Sequence, residues 1–301
     1  MAEPARLLMT GASGFLGATL LPRLAGEYAV TPVTRKTRQG WIEADLTDTS
    51  AVLRALRDVK PAIVVHAAAW TSVDGCERDQ AQAYAQNVLA AENLVSACAA
   101  LPTAPRIIFV STDQLYDGPG PHGEDGPVTP RNVYALTKLW AESIVLRAPG
   151  SLVLRSNFFG HGRKRGEGLA SWLLDSMAAN KPVTVFDDVL FNPLYLEDYA
   201  DLFLDLVRAN ARGMVNLGAD GAGLSKAAFA YALAERFCVS AASAVAGSVE
   251  SMNLAAVRPK DMRMNISRLR ASLPKRTIPT VEAGLKRMWD DVERVRTDVR
   301  K

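Results

Sequence analysis

Short apolar runs alternate with helix-like stretches through the first half of this chain, and that alternation limits the possible folds more than any other feature. The runs are Arg6 to Met9, Tyr28 to Thr34, Ala62 to His66, Arg106 to Val110 and Leu152 to Arg155. Most are nearly continuous in apolar residues, so both faces of each strand need cover. Between them, Gly14 to Leu24, Asp48 to Asp58, Glu77 to Ala100 and Asn132 to Arg147 have helical periodicity, with Pro22 a blemish near the end of the first. Buried strands that alternate with helices imply parallel βαβ units in a doubly wound sheet.

The expected class is α/β, with a Rossmann-type doubly wound parallel sheet in residues 1–156 that binds the nucleotide. Beyond it, Leu169 to Ala179, Leu196 to Ala209, Leu224 to Phe237 and Val281 to Val299 read as helices with a few short strands between. Residues 157–301 are therefore assigned mainly to a smaller C-terminal substrate-binding lobe, part of which crosses back to the first domain. At 301 residues and 49% hydrophobic content, the chain can fill one large core or two linked ones.

A net charge of +3 is too small to argue for a nucleic acid or a membrane surface as partner. The basic residues gather instead at Arg35-Lys36-Arg38, Arg163-Lys164-Arg165 and Arg258 to Arg270, which suits local anion sites. Cys76, Cys98 and Cys238 are scattered, and with only His66, His122 and His161 beside them no metal centre is expected. No apolar run has membrane-spanning length, and the N-terminus lacks a signal peptide's apolar stretch, so a cytoplasmic protein is expected. The reading leaves a homodimer open.

Gly11-Ala12-Ser13-Gly14-Phe15-Leu16-Gly17 lies between the first strand and the first helix. Glycines there permit a tight turn, let the backbone approach a pyrophosphate and pack the helix on the sheet, while the helix N-terminus favours the negative charge. The second strand ends in Val33-Thr34-Arg35-Lys36, without the acid that would hold a ribose 2′-hydroxyl. Arg35 is suited to a 2′-phosphate, so NADP(H) is preferred and NAD(H) remains possible. Asp45-Leu46 is placed at the adenine. Ala67-Ala68-Ala69 closes the third run with side chains small enough for a cofactor to approach, and His66 reads as a packed strand-end histidine.

Tyr134 and Lys138 are four residues apart on a helical stretch and so share a face. A lysine near a phenol is expected to move its pKa from about 10 toward neutrality. Ser111-Thr112-Asp113 ends a buried strand, where open α/β sheets bind ligands. Thr112 can hold a carbonyl oxygen there while Tyr134 donates a proton.

These residues resemble the dTDP-4-dehydrorhamnose reductase family of the extended short-chain dehydrogenase/reductases. The resemblance spans nearly the whole chain: the glycine segment, Val64 to Asp74 with Glu77, Asn87, Ser111-Thr112-Asp113 with Asp117-Gly118, Tyr134 to Lys138 with Glu142, Pro193 with Asp198 and Ala200, and Arg258-Pro259. It implies that Thr112, Tyr134 and Lys138 are catalytic and that a 4-keto nucleotide-sugar is reduced. It adds Asn87 to the cofactor site, with Tyr134 and Lys138, and places Thr71, Val73, Thr112, Asn157 and Arg258 on the substrate side.

The chain departs from the family at Gln114-Leu115-Tyr116, in Arg155 to Gly160, where the family commonly has a tryptophan, and in Val189 to Leu194. These changes cluster around the substrate. A nucleotide-sugar epimerase shares the machinery, whereas dehydration needs an ionisable residue where Gln114 stands. A third expectation is a non-catalytic module resembling the regulatory β-subunit of methionine adenosyltransferase.

Overall fold

The structure is a computed structural model that describes residues 3–162, 164 and 166–299. The chain begins with β1 (Arg6–Thr10), α1 (Phe15–Ala25), β2 (Ala29–Thr34), β3 (Ile42–Glu43), α2 (Thr49–Val59) and β4 (Ile63–His66). Three short helical pieces follow, α3 (Val73–Arg78), α4 (Gln80–Ala83) and, after a π-helical stretch at Tyr84–Leu89, α5 (Ala90–Ala99). Next come β5 (Arg106–Val110), α6 (Val133–Val145), β6 (Leu152–Ser156), β7 (Phe158–Phe159), α7 (Leu169–Ala178), β8 (Val183–Phe186), β9 (Leu190–Phe191), β10 (Leu194–Tyr195) and α8 (Leu196–Arg208). The chain then runs through β11 (Gly213–Leu217), β12 (Leu224–Ser225), α9 (Lys226–Arg236), β13 (Ala244–Gly247), α10 (Ser267–Ser272) and α11 (Val281–Val299).

Seven strands form one sheet in the order β11-β6-β5-β4-β1-β2-β3, and every adjacent pair is parallel. Successive side chains of a strand face opposite layers. Leu7 and Met9 of β1 enter the layer with Leu20 and Leu24 of α1, while Leu8 enters the layer with Leu56 of α2 and Leu94 of α5. Ile108 and Leu154 join the first layer; Phe109 and Val153 join the second. The near-continuous apolar runs are thus strands covered on both faces.

The long helix expected over Glu77 to Ala100 is broken. Asp79 leaves helical geometry at φ −133°, ψ 82°, and its carboxylate accepts from Gln82 N at 2.9 Å. A local side-chain acceptor offers the backbone an alternative to the helical ladder and restarts the helix. The π-helical stretch then turns Asn87 inward, where it is 2% exposed.

β11 adds to the main sheet, pairing with β6 from Gly213↔Leu152 to Leu217↔Ser156. The smaller lobe contains the two-stranded pairs β10-β7, β12-β9 and β13-β8 with α7 and α9. Phe159, Phe191 and Phe229 of that lobe belong to the same apolar core as Leu7 and Leu20. Leu20→Ala, at a fully buried position, is expected to lower stability by about 3 kcal/mol in denaturant unfolding. A loss below about 1 kcal/mol would mean that α1 does not seal the sheet there.

Candidate active site

The strand order reverses at β1, which pairs with β2 on one side and β4 on the other. Crossovers leave this point in opposite directions, so a crevice opens beyond the carboxyl ends of the strands. A cleft of about 950 Å³ lies there, lined from Gly11 through Gly17, from the end of β2, from Ala67-Ala68-Ala69 and from the end of β5.

Gly11 has φ +73°, and a Cβ on it would lie 2.5 Å from the Ala67 carbonyl carbon and the Ala68 nitrogen. A Cβ on Gly17 would lie 2.1 Å from Gly11 O. Glycine is therefore required at both positions. Gly14 caps α1 with no side-chain hydrogen bond, and the first turn carries no acid. The first N–H groups of a helix have no intrahelical acceptor, and they point at the cleft with the positive end of the helix dipole. That is a site for an anion.

Around this cradle, Ser13, Phe15 and Leu16 line the cleft, as do Asp45 and Leu46. The Asp45 carboxyl sits below its ordinary range because Thr47 N and Oγ1 donate to it, with Arg35 a smaller influence. Arg35 also lines the cleft, donating to Gln86 Oε1 at 3.0 Å and forming no ion pair among the described residues. Lys36 stands beside it. Beneath the loop, the buried His66 shares a 2.8 Å hydrogen bond with Thr10 Oγ1. Burial and then Lys138 pull its pKa down to about 3, so it is neutral and structural.

The chemical end is held by α6. Asn132 Oδ1 accepts from Ala135 N at 2.8 Å, and Glu77 Oε2 reaches from α3 to accept from Val133 N at 3.0 Å. Two caps thus fix the turn that carries Tyr134, which is 8% exposed and faces the cleft. Thr112, just past the end of β5, stands by the phenol and draws its pKa downward. Its Oγ1 also accepts from Gln114 N at 3.2 Å, capping a short turn.

One electrostatic expectation fails. Burial pushes the Tyr134 phenol above its ordinary range; Asp113 and Cys76 push it the same way, and only Thr112 pulls it down. Lys138 is not among the groups that set this shift. The i, i+4 spacing places both residues on one face, but the ammonium donates to Val110 O at 2.8 Å and lies 4.0 Å from the Phe109 ring centre. Burial also brings the lysine down to about 7, with Glu142 pulling it up.

Three expected site residues lie off the cleft. Asn87 spends its amide on Trp70 and Thr137: it accepts from Trp70 N at 2.7 Å and donates to Trp70 O at 3.2 Å and Thr137 Oγ1 at 3.0 Å. It ties the β4 loop to α6 instead of lining the cofactor groove. Val73 packs with Cys76, Ala83 and Tyr134 in a small apolar cluster. Arg258 pairs with Asp74 at 2.6 Å and donates to Ala256 O at 2.8 Å, so its charge is already partnered. Thr71 and Asn157 do line the cleft. Of the basic loop, Arg163 and Arg165 lie outside the described residues.

The structure adds groups that the sequence reading did not assign. Asp113 is 1% exposed, accepts from Asn157 Nδ2 at 2.6 Å, and has its pKa pushed up to about 6 by burial despite Asn157 and Lys226. Lys226, half-buried at the start of α9, lies 5.8 Å from the Phe191 ring centre and attracts Asp113 across more than a hundred residues of chain. Its place could not be read from local pattern. Phe158 and Gly168 close the cleft on the lobe side, where a Cβ on Gly168 would meet the Phe15 ring at 3.0 Å.

The chain matches the family described as the RmlD substrate binding domain over residues 5–294. It is 35% identical over 217 residues to the dTDP-4-dehydrorhamnose reductase of Mycobacterium tuberculosis, covering 70% of this chain and 68% of that one. A Streptomyces griseus protein of the same name is 35% identical over 218 residues, covering 71% and 68%. Among solved structures, the dTDP-4-dehydrorhamnose reductase of Bacillus anthracis in complex with NADP superposes with a TM-score of 0.85 at 24% identity, over 96% of this chain and 99% of that one. With its glycine cradle and its Thr112, Tyr134 and Lys138 at one switch-point cleft, the chain belongs to the RmlD substrate binding domain family, the family of the dTDP-4-dehydrorhamnose reductases.

Proposed function

We propose that this protein reduces the keto group of a 4-keto nucleotide-sugar with NADPH. The observation that carries the reading is the meeting of Thr112, Tyr134 and Lys138 in one cleft with an uncapped helix N-terminus and a free-standing arginine. A diphosphate fits the Gly14–Gly17 turn, because the cradle has no room for a Cβ at Gly11 or Gly17 and its N–H groups face outward. Arg35 and Lys36 suit a 2′-phosphate. NADPH bound here supplies the hydride that the carbonyl carbon accepts.

Tyr134 donates its proton to the carbonyl oxygen as that oxygen gains charge. A phenol held above its ordinary range is fully protonated at neutral pH, which suits an acid. Thr112 orients the same oxygen. Lys138, anchored to Val110 O, would hold the nicotinamide ribose. Asn157, with Asp113 bonded behind it, lines the part of the cleft left for the sugar.

Tyr134→Phe is expected to lower NADPH-dependent turnover of a 4-keto sugar nucleotide by about 10²–10⁴-fold while NADPH binding, followed by fluorescence, is retained. Undiminished turnover removes the phenol from the acid role. Arg35→Ala should weaken NADPH binding about tenfold or more and leave NADH nearly unchanged; equal losses for both would exclude a 2′-phosphate contact. Gly17→Ala should abolish tight binding of both dinucleotides without loss of helical circular dichroism, because its Cβ would displace the Gly11 carbonyl.

A further inference from the structure

Behind Lys138 lies a buried polar chain that no step above uses. Glu142 is one helical turn further along α6 and 1% exposed. Arg155 of β6, 3% exposed, grips it with both sides of the guanidinium: Nε donates to Oε1 at 3.1 Å and Nη2 to Oε2 at 2.7 Å. Arg155 Nη1 donates to Tyr116 OH at 2.8 Å, and Tyr116 OH donates to Asn216 Oδ1 at 2.8 Å. Asn216 Nδ2 then donates to His122 O at 2.9 Å and Asn265 O at 3.1 Å, while its backbone N–H donates to Glu124 Oε1 at 2.8 Å. The chain of bonds runs from the helix of the chemical site, through the sheet, to the loops on the lobe side.

Removing two charges from water is costly, and a well-packed apolar pair of the same volume is often no less stable. A buried pair whose members also satisfy one another's remaining hydrogen bonds therefore asks for a role beyond folding. We propose that Glu142 and Arg155 are positioning residues for the reductive site: the pair keeps an anion one turn from Lys138, which holds the lysine charged and seated against Val110 O. Arg155 offsets the cost of holding the Glu142 carboxylate out of water by bonding both of its oxygens.

The surroundings of Lys138 leave Glu142 as the group that can do this. From β4 it faces His66, which is neutral; from β5 it faces the Val110 carbonyl and the Phe109 ring. On its own helix it shares a face with the protonated Tyr134, and Asp113 acts on that phenol. Among the described residues, Glu142 is the side chain that draws Lys138 toward its charged form, against burial.

This role presupposes that Lys138 belongs to the proposed site, but its test reads the lysine directly. In full-length protein labelled with ε-¹³C lysine, the Lys138 resonance, assigned by its loss in Lys138→Arg, is titrated by NMR. Glu142→Gln is expected to move its midpoint downward from about 7 by about one unit, and Glu142→Asp to restore it. If Glu142→Gln does not fold because Arg155 is left unpaired, the double variant Glu142→Gln/Arg155→Gln removes both charges and should show the same downward movement. A folded variant lacking Glu142 whose Lys138 midpoint is unmoved overturns the proposal. In turnover assays with NADPH and a 4-keto sugar nucleotide, the alkaline limb of kcat/KM should shift with the resonance; a limb that stays while the resonance moves assigns the pair a folding role only. If no 4-keto sugar nucleotide is turned over by the unaltered protein, the proposed reaction fails and the NMR result stands on its own.

Discussion

Gly11 and Gly17 have neighbours so close that no other residue fits. The loop after β1 passes within van der Waals contact of the peptide joining Ala67 to Ala68, and α1 starts against the Gly11 carbonyl. Only because both approaches are closed can the helix N-terminus meet the carboxyl ends of β1 and β4 at the point where the strand order reverses. The cleft and the anion site follow from that seam. Thr10 and His66 support it from below, and the small side chains of Ala67 to Ala69 keep it open.

Burial then acts on the chemical groups, and it acts on acid and base alike. It drives Tyr134 and Asp113 upward and Lys138 and His66 downward, so each is pressed toward its neutral form. For the phenol this preserves the proton that an acid needs. For the lysine it works against the charge, and Glu142 opposes it from the next turn of α6. The spacing of Tyr134 and Lys138 therefore means something other than a direct contact: it sets two groups on one face, with their ionisation decided by different neighbours.

Much of the fold was legible because parallel strands buried on both faces leave near-continuous apolar runs, and β1, β4, β5 and β6 each have one. The glycine cradle and Tyr134 were legible because their roles depend on residues close in sequence. The partners of Asn87 were hidden for an instructive reason. Inside an apparently uniform alanine-rich helix, its side chain had no visible partner, whereas the break at Asp79 and the π-helical stretch turn it toward Trp70 and Thr137. The pairing of Arg258 was not legible because its partner Asp74 lies 184 residues away.

By itself, the sequence determined the α/β alternation, the nucleotide turn and the set of groups able to carry out a carbonyl reduction, since each rests on local pattern and backbone geometry. The tertiary structure decided which charges are free and which are partnered. Among the described residues Arg35 forms no ion pair while Arg258 is paired, Asp113 meets Asn157 and Lys226, and Glu142 meets Arg155 across the α6–β6 boundary. A charge's ionisation depends on burial and on neighbours within a few ångströms, and those neighbours come from strands and helices that only folding brings together.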